Sequence, residues 1–343
     1  MTGASVLGPW PGVDQHEAQA TAIGELASVP EGVVGLPPLV QLPGRGPWAH
    51  SIARTAALLT EMPVEVGPHG WKLADRPGHD VERVRASMRE ELDILAVTGF
   101  EYTGPLVISL PGPWSMAATL YLARGDRVLS DPGAVRDLVA ALGDGIGALL
   151  TSVVGAVPGA QPVLVLREPL LPDVLTGGVA DFSGHGRLWS VPGERAGRGL
   201  SEVVTAARSR GATVVAHGGS RSTTSSIAVL ADSGADAVGV AATSVGSRDW
   251  EQLAGLVEDG TRLWIGLPPD DDRRPDTVAI ARLVAGPWTA VGLPASGLAD
   301  VVVHADTATG GARGGGGDLS EIRAALTVAV EVAARLAERA SGG

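Results

Sequence analysis

Short Val-, Leu- and Ile-rich runs alternate with longer stretches of helical character along the whole chain, and that alternation constrains the fold more than any single motif. The runs fall at residues 5–7, 33–36, 64–66, 106–110, 163–166, 213–216, 237–240, 263–267 and 301–303. The segments between them carry helix-start signals. Asp14 with Glu17, and Asp318 with Glu321, have the acceptor-x-x-Glu spacing that satisfies free N–H groups at a helix start. Asp131-Pro132 supplies a cap followed by a proline suited to the first helical turn. About eight strand–helix units without a composition break predict an α/β chain folded as a single (β/α)8 TIM-type barrel over residues 1–343, with two of the nine runs as extra or edge pieces. Two doubly wound domains are the structural alternative.

A chain of 343 residues, 45% hydrophobic, is long enough to bury a large core. Its net charge is −12, and its cations, all arginine except Lys72, are scattered along the sequence, which argues against a nucleic-acid surface and gives no sign of a polyanion partner. Residues 1–12 lack a basic segment followed by a long apolar one, and no uninterrupted apolar run approaches the roughly 20 residues of a membrane helix. The expected location is therefore cytoplasmic, without membrane contact. Cysteine is absent, which excludes disulfides, a thiolate nucleophile and any zinc site built on cysteine sulfur.

Several segments interrupt the regular pattern. Pro37-Pro38, Pro43-Gly44 and Gly46-Pro47 make a long turn-rich connection before an expected helix at 48–61. Residues 177–199 read as a polar, Gly-rich loop insertion holding His185, Trp189 and Glu194, either a lid or a surface excursion. The charge run at 270–274 reads as a solvated loop, and the glycine tract at 310–317 as a second flexible insertion.

Polar residues just after a strand are exposed on the face where barrels build sites. Gly8-Pro9-Trp10-Pro11-Gly12, Pro111-Gly112-Pro113-Trp114-Ser115, Arg167-Glu168-Pro169 and His217-Gly218-Gly219-Ser220 all follow strands. Trp10 and Trp114 either contact a ligand or pack over the barrel mouth. Glu168, fixed in direction before a proline, can bind a substrate amine or act as general acid or base, with an arginine ion pair as the structural alternative. His217 suits a base or a metal ligand, and equally a hydrogen-bonded structural residue.

Taken in order, these segments resemble the cobalamin-independent methionine synthase family, as a single-barrel homologue of its catalytic half, within a superfamily shared with uroporphyrinogen decarboxylase. Leu7-Gly8-Pro9-Trp10-Pro11 resembles the family's opening Ile-Gly-Ser-Phe/Trp-Pro segment, and the stretches 36–45, Pro111-Gly112-Pro113, Asp131-Pro132-Gly133 and 167–172 follow in family order. The resemblance implies methyl transfer from a methylated folate to homocysteine, with zinc presenting the thiolate. Zinc is expected for the family, yet of its four ligand positions only His217 keeps a donor; the others fall on Gly219, at or near Ala241, and around Thr307. Pro9 stands where the family has serine, and Arg167 where it has aspartate. The expectation is a methionine-synthase-like barrel not competent for the zinc-dependent reaction, with no metal site, His217 and Glu168 as catalytic residues, and Trp10, Trp114, Ser115 and Arg167 around a small-molecule ligand at the mouth.

Three alternatives stay open. One is a non-catalytic binding or regulatory barrel, self-associating through the long apolar face at 319–338. Another is a metal-free lyase or decarboxylase-like enzyme on a small carboxylate held by Arg45, Arg54 or Arg167. The last is a non-family metal set of His217, His304 and Asp306.

Overall fold

The computed structural model describes residues 1–268, 276–306 and 319–342. Its strands are β1 (Thr2–Leu7), β2 (Val33–Leu36), β3 (Val64–Gly67), β4 (Gly70–Leu73), β5 (Gly104–Pro111), β6 (Ala160–Arg167), β7 (Thr213–His217), β8 (Ala237–Ala241), β9 (Arg262–Leu267) and β10 (Val302–Asp306). Eight of them form one parallel sheet in the order β2-β1-β10-β9-β8-β7-β6-β5. Just beyond β2, Pro38 bridges to Val107 on β5; Val107 N–H donates to Pro37 O at 2.9 Å, and Leu39 N–H to Val107 O at 2.8 Å. These bonds join the two outer strands, so the sheet curves round into an α/β barrel of the (β/α)8 type.

Continuous apolar runs, rather than alternating ones, follow from burial on both strand faces. On one face Leu7, Leu36, Val107, Val163, Val165, Val215, Ala237 and Trp264 form a separate buried cluster that fills the barrel interior. On the other, Ile108, Leu164, Leu166, Val214, Val238, Val240 and Ile265 join the larger cluster under the helices. The run at 64–66 is the extra piece. It pairs antiparallel with β4 in a hairpin outside the barrel, so one of the nine runs is additional rather than two.

Helix starts follow the capping chemistry. Asp14 Oδ1 accepts from Glu17 N–H at 2.9 Å, and Asp131 Oδ1 accepts from Gly133 and Ala134 N–H at 2.7 and 3.1 Å. Asp318 lies outside the described residues, as do the charge run at 270–274 and the glycine tract at 310–317. The expected helix at 48–61 is shorter, a 3-10 turn at Pro47–Ala49 followed by Ser51–Leu58.

The Gly-rich stretch at 177–199 is a loop only as far as Pro192, where helix Gly193–Arg208 begins. Gly199 serves packing there: a Cβ on it would stand 2.9 Å from the Trp114 ring. The last helix, Leu319–Gly342, is not an open apolar face, because Ile322, Leu326, Ala329, Val332, Ala333 and Leu336 are all buried. Helix Pro132–Ala156 is long and apolar enough by length and composition to cross a bilayer, but most of that stretch is buried in the protein.

That helix also generates a paired test. A Cβ on Gly145 would lie 2.0 Å from the Leu58 carbonyl oxygen, whereas Gly155, on the same helix, faces open space. Gly145→Ala is expected to destabilise the fold by about 1–3 kcal/mol through overpacking. Gly155→Ala is expected to be neutral or to stabilise by up to ~1 kcal/mol from helix propensity. Urea unfolding of the two variants checks the contrast; equal effects would contradict the helix crossing.

Candidate functional site

Strand alternation puts Arg167 two residues above Val165 on β6, His217 two above Val215 on β7, and His304 and Asp306 two and four above Val302 on β10. The barrel interior is therefore apolar below and polar at its C-terminal end. Register brings the polar residues together: Arg167 lies beside His217, His217 beside Gly239, and His304 beside Gly266. The two glycines vacate the space that the imidazoles fill. A Cβ on Gly239 would stand 2.1 Å from His217 Cδ2, and one on Gly266 3.1 Å from His304 Cε1. These glycines went unremarked in the sequence, although a glycine inside a strand is itself a sign of close approach.

The imidazoles meet at 2.9 Å, Nε2 to Nε2, and both residues are fully buried. His217 Nδ1 accepts from Gly219 N–H at 2.9 Å, which leaves its proton on Nε2 as donor to His304. The Trp264 ring lies 6.2 Å from His304, centroid to centroid. Burial holds His217 well below the usual histidine range, with His304 and Arg167 adding to the effect. His304 is lowered to about 4 by burial, opposed by Asp306 and reinforced by Arg167. Both rings are thus neutral near pH 7. Arg167 makes its own ion pair with Asp306, and these two side chains, 15% and 8% exposed, are the part of the cluster that solvent reaches.

Glu168 turns to a second group of residues. Its Oε1 accepts from Trp114 N–H at 2.8 Å and its Oε2 from Ser115 N–H at 2.6 Å, capping the short helix Pro113–Ala117. Burial pushes the carboxyl up to about 7 against the lowering effect of those bonds and of the Ser115 hydroxyl. Trp114 is buried and donates its indole N–H to Ala196 O at 2.8 Å. Ser115 Oγ accepts from Leu170 N–H at 3.3 Å. Trp10 is buried and held to Gln41 O through its backbone N–H at 2.9 Å. Arg45 and Arg54 pair with Glu90 and Glu91, both on helix His79–Thr98, so they are not gathered with Arg167. The structure joins His217, His304, Arg167 and Asp306, and separately Glu168, Trp114 and Ser115.

Among the described residues no group of three or more His, Asp or Glu side chains is placed to hold a metal ion. The zinc that the sequence resemblance implies does not fit the donors present. His217 has one nitrogen committed to Gly219 and the other facing His304; Gly219 has no side chain and adopts φ +72°, and Ala241 has no donor atom. Thr307 lies outside the described residues.

No protein-family model and no curated protein matches the sequence. Among solved structures, the chain is similar to a B12-independent methionine synthase from Shewanella sp. W3-18-1 in complex with selenomethionine. The TM-score is 0.59 at 12% identity, covering 98% of this chain and 97% of that one. The likeness shows the fold. The carboxyl transferase domain of Rhizobium etli pyruvate carboxylase also matches, with a TM-score of 0.33 at 14% identity over 73% of this chain and 38% of that one.

Two outcomes follow from this geometry. Gly239→Ala is expected to cost about 1–3 kcal/mol by driving a methyl group into the His217 ring. His217→Ala should remove that clash, so a double-mutant cycle in urea should be strongly non-additive; additivity would contradict the contact. In the pH dependence, Glu168 holds a proton in the folded chain between its ordinary value of 4.5 and about 7, where the unfolded chain has released it. Its contribution favours the fold at low pH and is lost as pH rises through about 7. Relative to Glu168→Gln, the wild type should therefore lose up to about 3 kcal/mol of stability between those limits. A difference independent of pH would contradict the buried carboxyl.

Proposed function

We propose that the protein is a methionine-synthase-type barrel that does not carry out zinc-dependent methylation of homocysteine, and that its mouth instead binds a small amino-acid-like ligand. The observation that carries this reading is the commitment of His217: both ring nitrogens are engaged, one by Gly219 N–H and the other by His304. A zinc-activated thiolate needs several protein donors and an open coordination position. At the ligand positions the resemblance implies, that histidine is the sole donor among the described residues.

The Arg167–Asp306 pair supports the ligand class. A guanidinium and a carboxylate side by side at the solvent-reached edge of a buried cluster offer opposite charges to a zwitterion. A ligand carboxylate would take Arg167 and a ligand ammonium Asp306. His217 and His304, neutral and apolar-walled by Trp264, would form the floor and hold no net charge against the ligand. Glu168 has the role of positioning the 113–117 helix at the rim.

Thermal-shift measurements test both halves. An α-amino acid is expected to raise the melting temperature without added metal, and Arg167→Ala to abolish the rise. Homocysteine should act no differently when zinc is supplied. A homocysteine shift that appears only with zinc would overturn the reading, as would amino-acid shifts unaffected by Arg167→Ala.

A further inference from the structure

The arginines that look scattered in the sequence are not all scattered in space. Arg282, Arg335 and Arg339 line one surface cavity of about 580 Å3, bounded by helix Thr277–Ala290, the 3-10 segment Ala295–Asp300 and helix Leu319–Gly342. Glu338 is the one carboxylate among the residues lining it. Arg335 is oriented by its Nε, which donates to Thr277 Oγ1 at 3.1 Å. The side chains of Arg282 and Arg339 make no hydrogen bond or ion pair among the described residues. The cavity floor is apolar, with Ala281 and Leu298 both buried.

In a chain of net charge −12, three cations around one cavity against a single anion run counter to the average field. Their mutual repulsion is relieved most directly by an anion placed between them. Three guanidinium groups, each able to offer paired N–H donors, exceed what one singly charged group can use. The apolar floor and a volume within the roughly 300–1,000 Å3 of small-molecule sites point to an organic ligand rather than a bare ion. The 3-10 segment leads directly into the start of β10, so the cavity lies toward the N-terminal ends of the strands, opposite the end that holds His217 and Arg167.

We propose that this cavity is a second binding site, separate from the barrel mouth, for a small organic polyanion carrying at least two phosphate or carboxylate groups. Arg282, Arg335 and Arg339 take the anionic groups, and Ala281 and Leu298 take the apolar part. Glu338 opposes binding and tunes its strength.

Isothermal titration of the full chain at low ionic strength with ADP, pyrophosphate and citrate tests the site. Saturable one-to-one binding is expected for at least one of these probes. The Arg282→Ala/Arg339→Ala double variant should weaken it at least about tenfold, and Glu338→Gln should tighten it severalfold. Tightest binding by ADP identifies phosphate chemistry, and tightest binding by citrate identifies carboxylate chemistry; either result supports the site, whereas pyrophosphate binding more tightly than both overturns the organic ligand. These side chains are on the surface, so circular dichroism and the melting temperature should match the wild type in all variants. No saturable binding of any probe overturns the proposal, as does unchanged affinity in the double variant. Loss of binding in Arg167→Ala, with binding kept in Arg282→Ala/Arg339→Ala, places the anion at the mouth and likewise overturns it. An amino-acid effect at the mouth is read separately, so the two sites fail or stand independently.

Discussion

The contact between His217 and His304 organises the upper half of the barrel. Two imidazoles in a closed, water-poor interior cannot both be charged, and burial keeps both neutral. One must then donate and the other accept, and the Gly219 N–H decides which by occupying His217 Nδ1. The rest follows from making room. Gly239 and Gly266 leave out side chains where the rings lie, Trp264 borders His304, and Arg167 reaches past the pair to Asp306.

The second cluster depends on a buried carboxylate in a different way. Glu168 replaces water for two backbone N–H groups at the start of a short helix, and that helix carries Trp114. Trp114 in turn locks onto helix Gly193–Arg208 through Ala196 O, with Gly199 opening the space for its ring. A single acidic residue just after β6 thereby couples helix Pro113–Ala117, through Trp114, to helix Gly193–Arg208. Residues that the sequence offers as ligand contacts, Trp114 and Ser115, are held by this framework.

Much of the fold was legible because barrel strands buried on both faces must be apolar throughout, and eight of the nine runs became barrel strands. The capping chemistry at Asp14 and Asp131 was local and therefore readable. What pattern could not show was anything decided by register. The run at 64–66 differs from its neighbours only by Glu65 between two valines, and its antiparallel partner at 70–73, too mixed in composition to stand out, sets it outside the barrel. Residues 193–199 resemble a loop in composition, yet they form the first turns of a helix in which Gly199 admits the Trp114 ring. At the site, His217, His304 and Asp306 were readable together as polar residues at the ends of late strands, but the Gly239 and Gly266 vacancies acquire meaning only once the strands are aligned. That two positions the resemblance assigns to zinc fall on Gly219 and Ala241 was legible; that His217 itself is engaged on both sides was not.

His217 is a neutral imidazole with both ring nitrogens engaged and its proton on Nε2. Nitrogen-15 NMR of the histidine side chains at pH 7, recorded before and after addition of zinc, tests it most directly. A neutral Nε2–H signal is expected for His217, coupled to the His304 ring and unchanged by zinc. A His217 signal that moves to a metal-bound position on zinc addition, or that reports an imidazolium at pH 7, would contradict it.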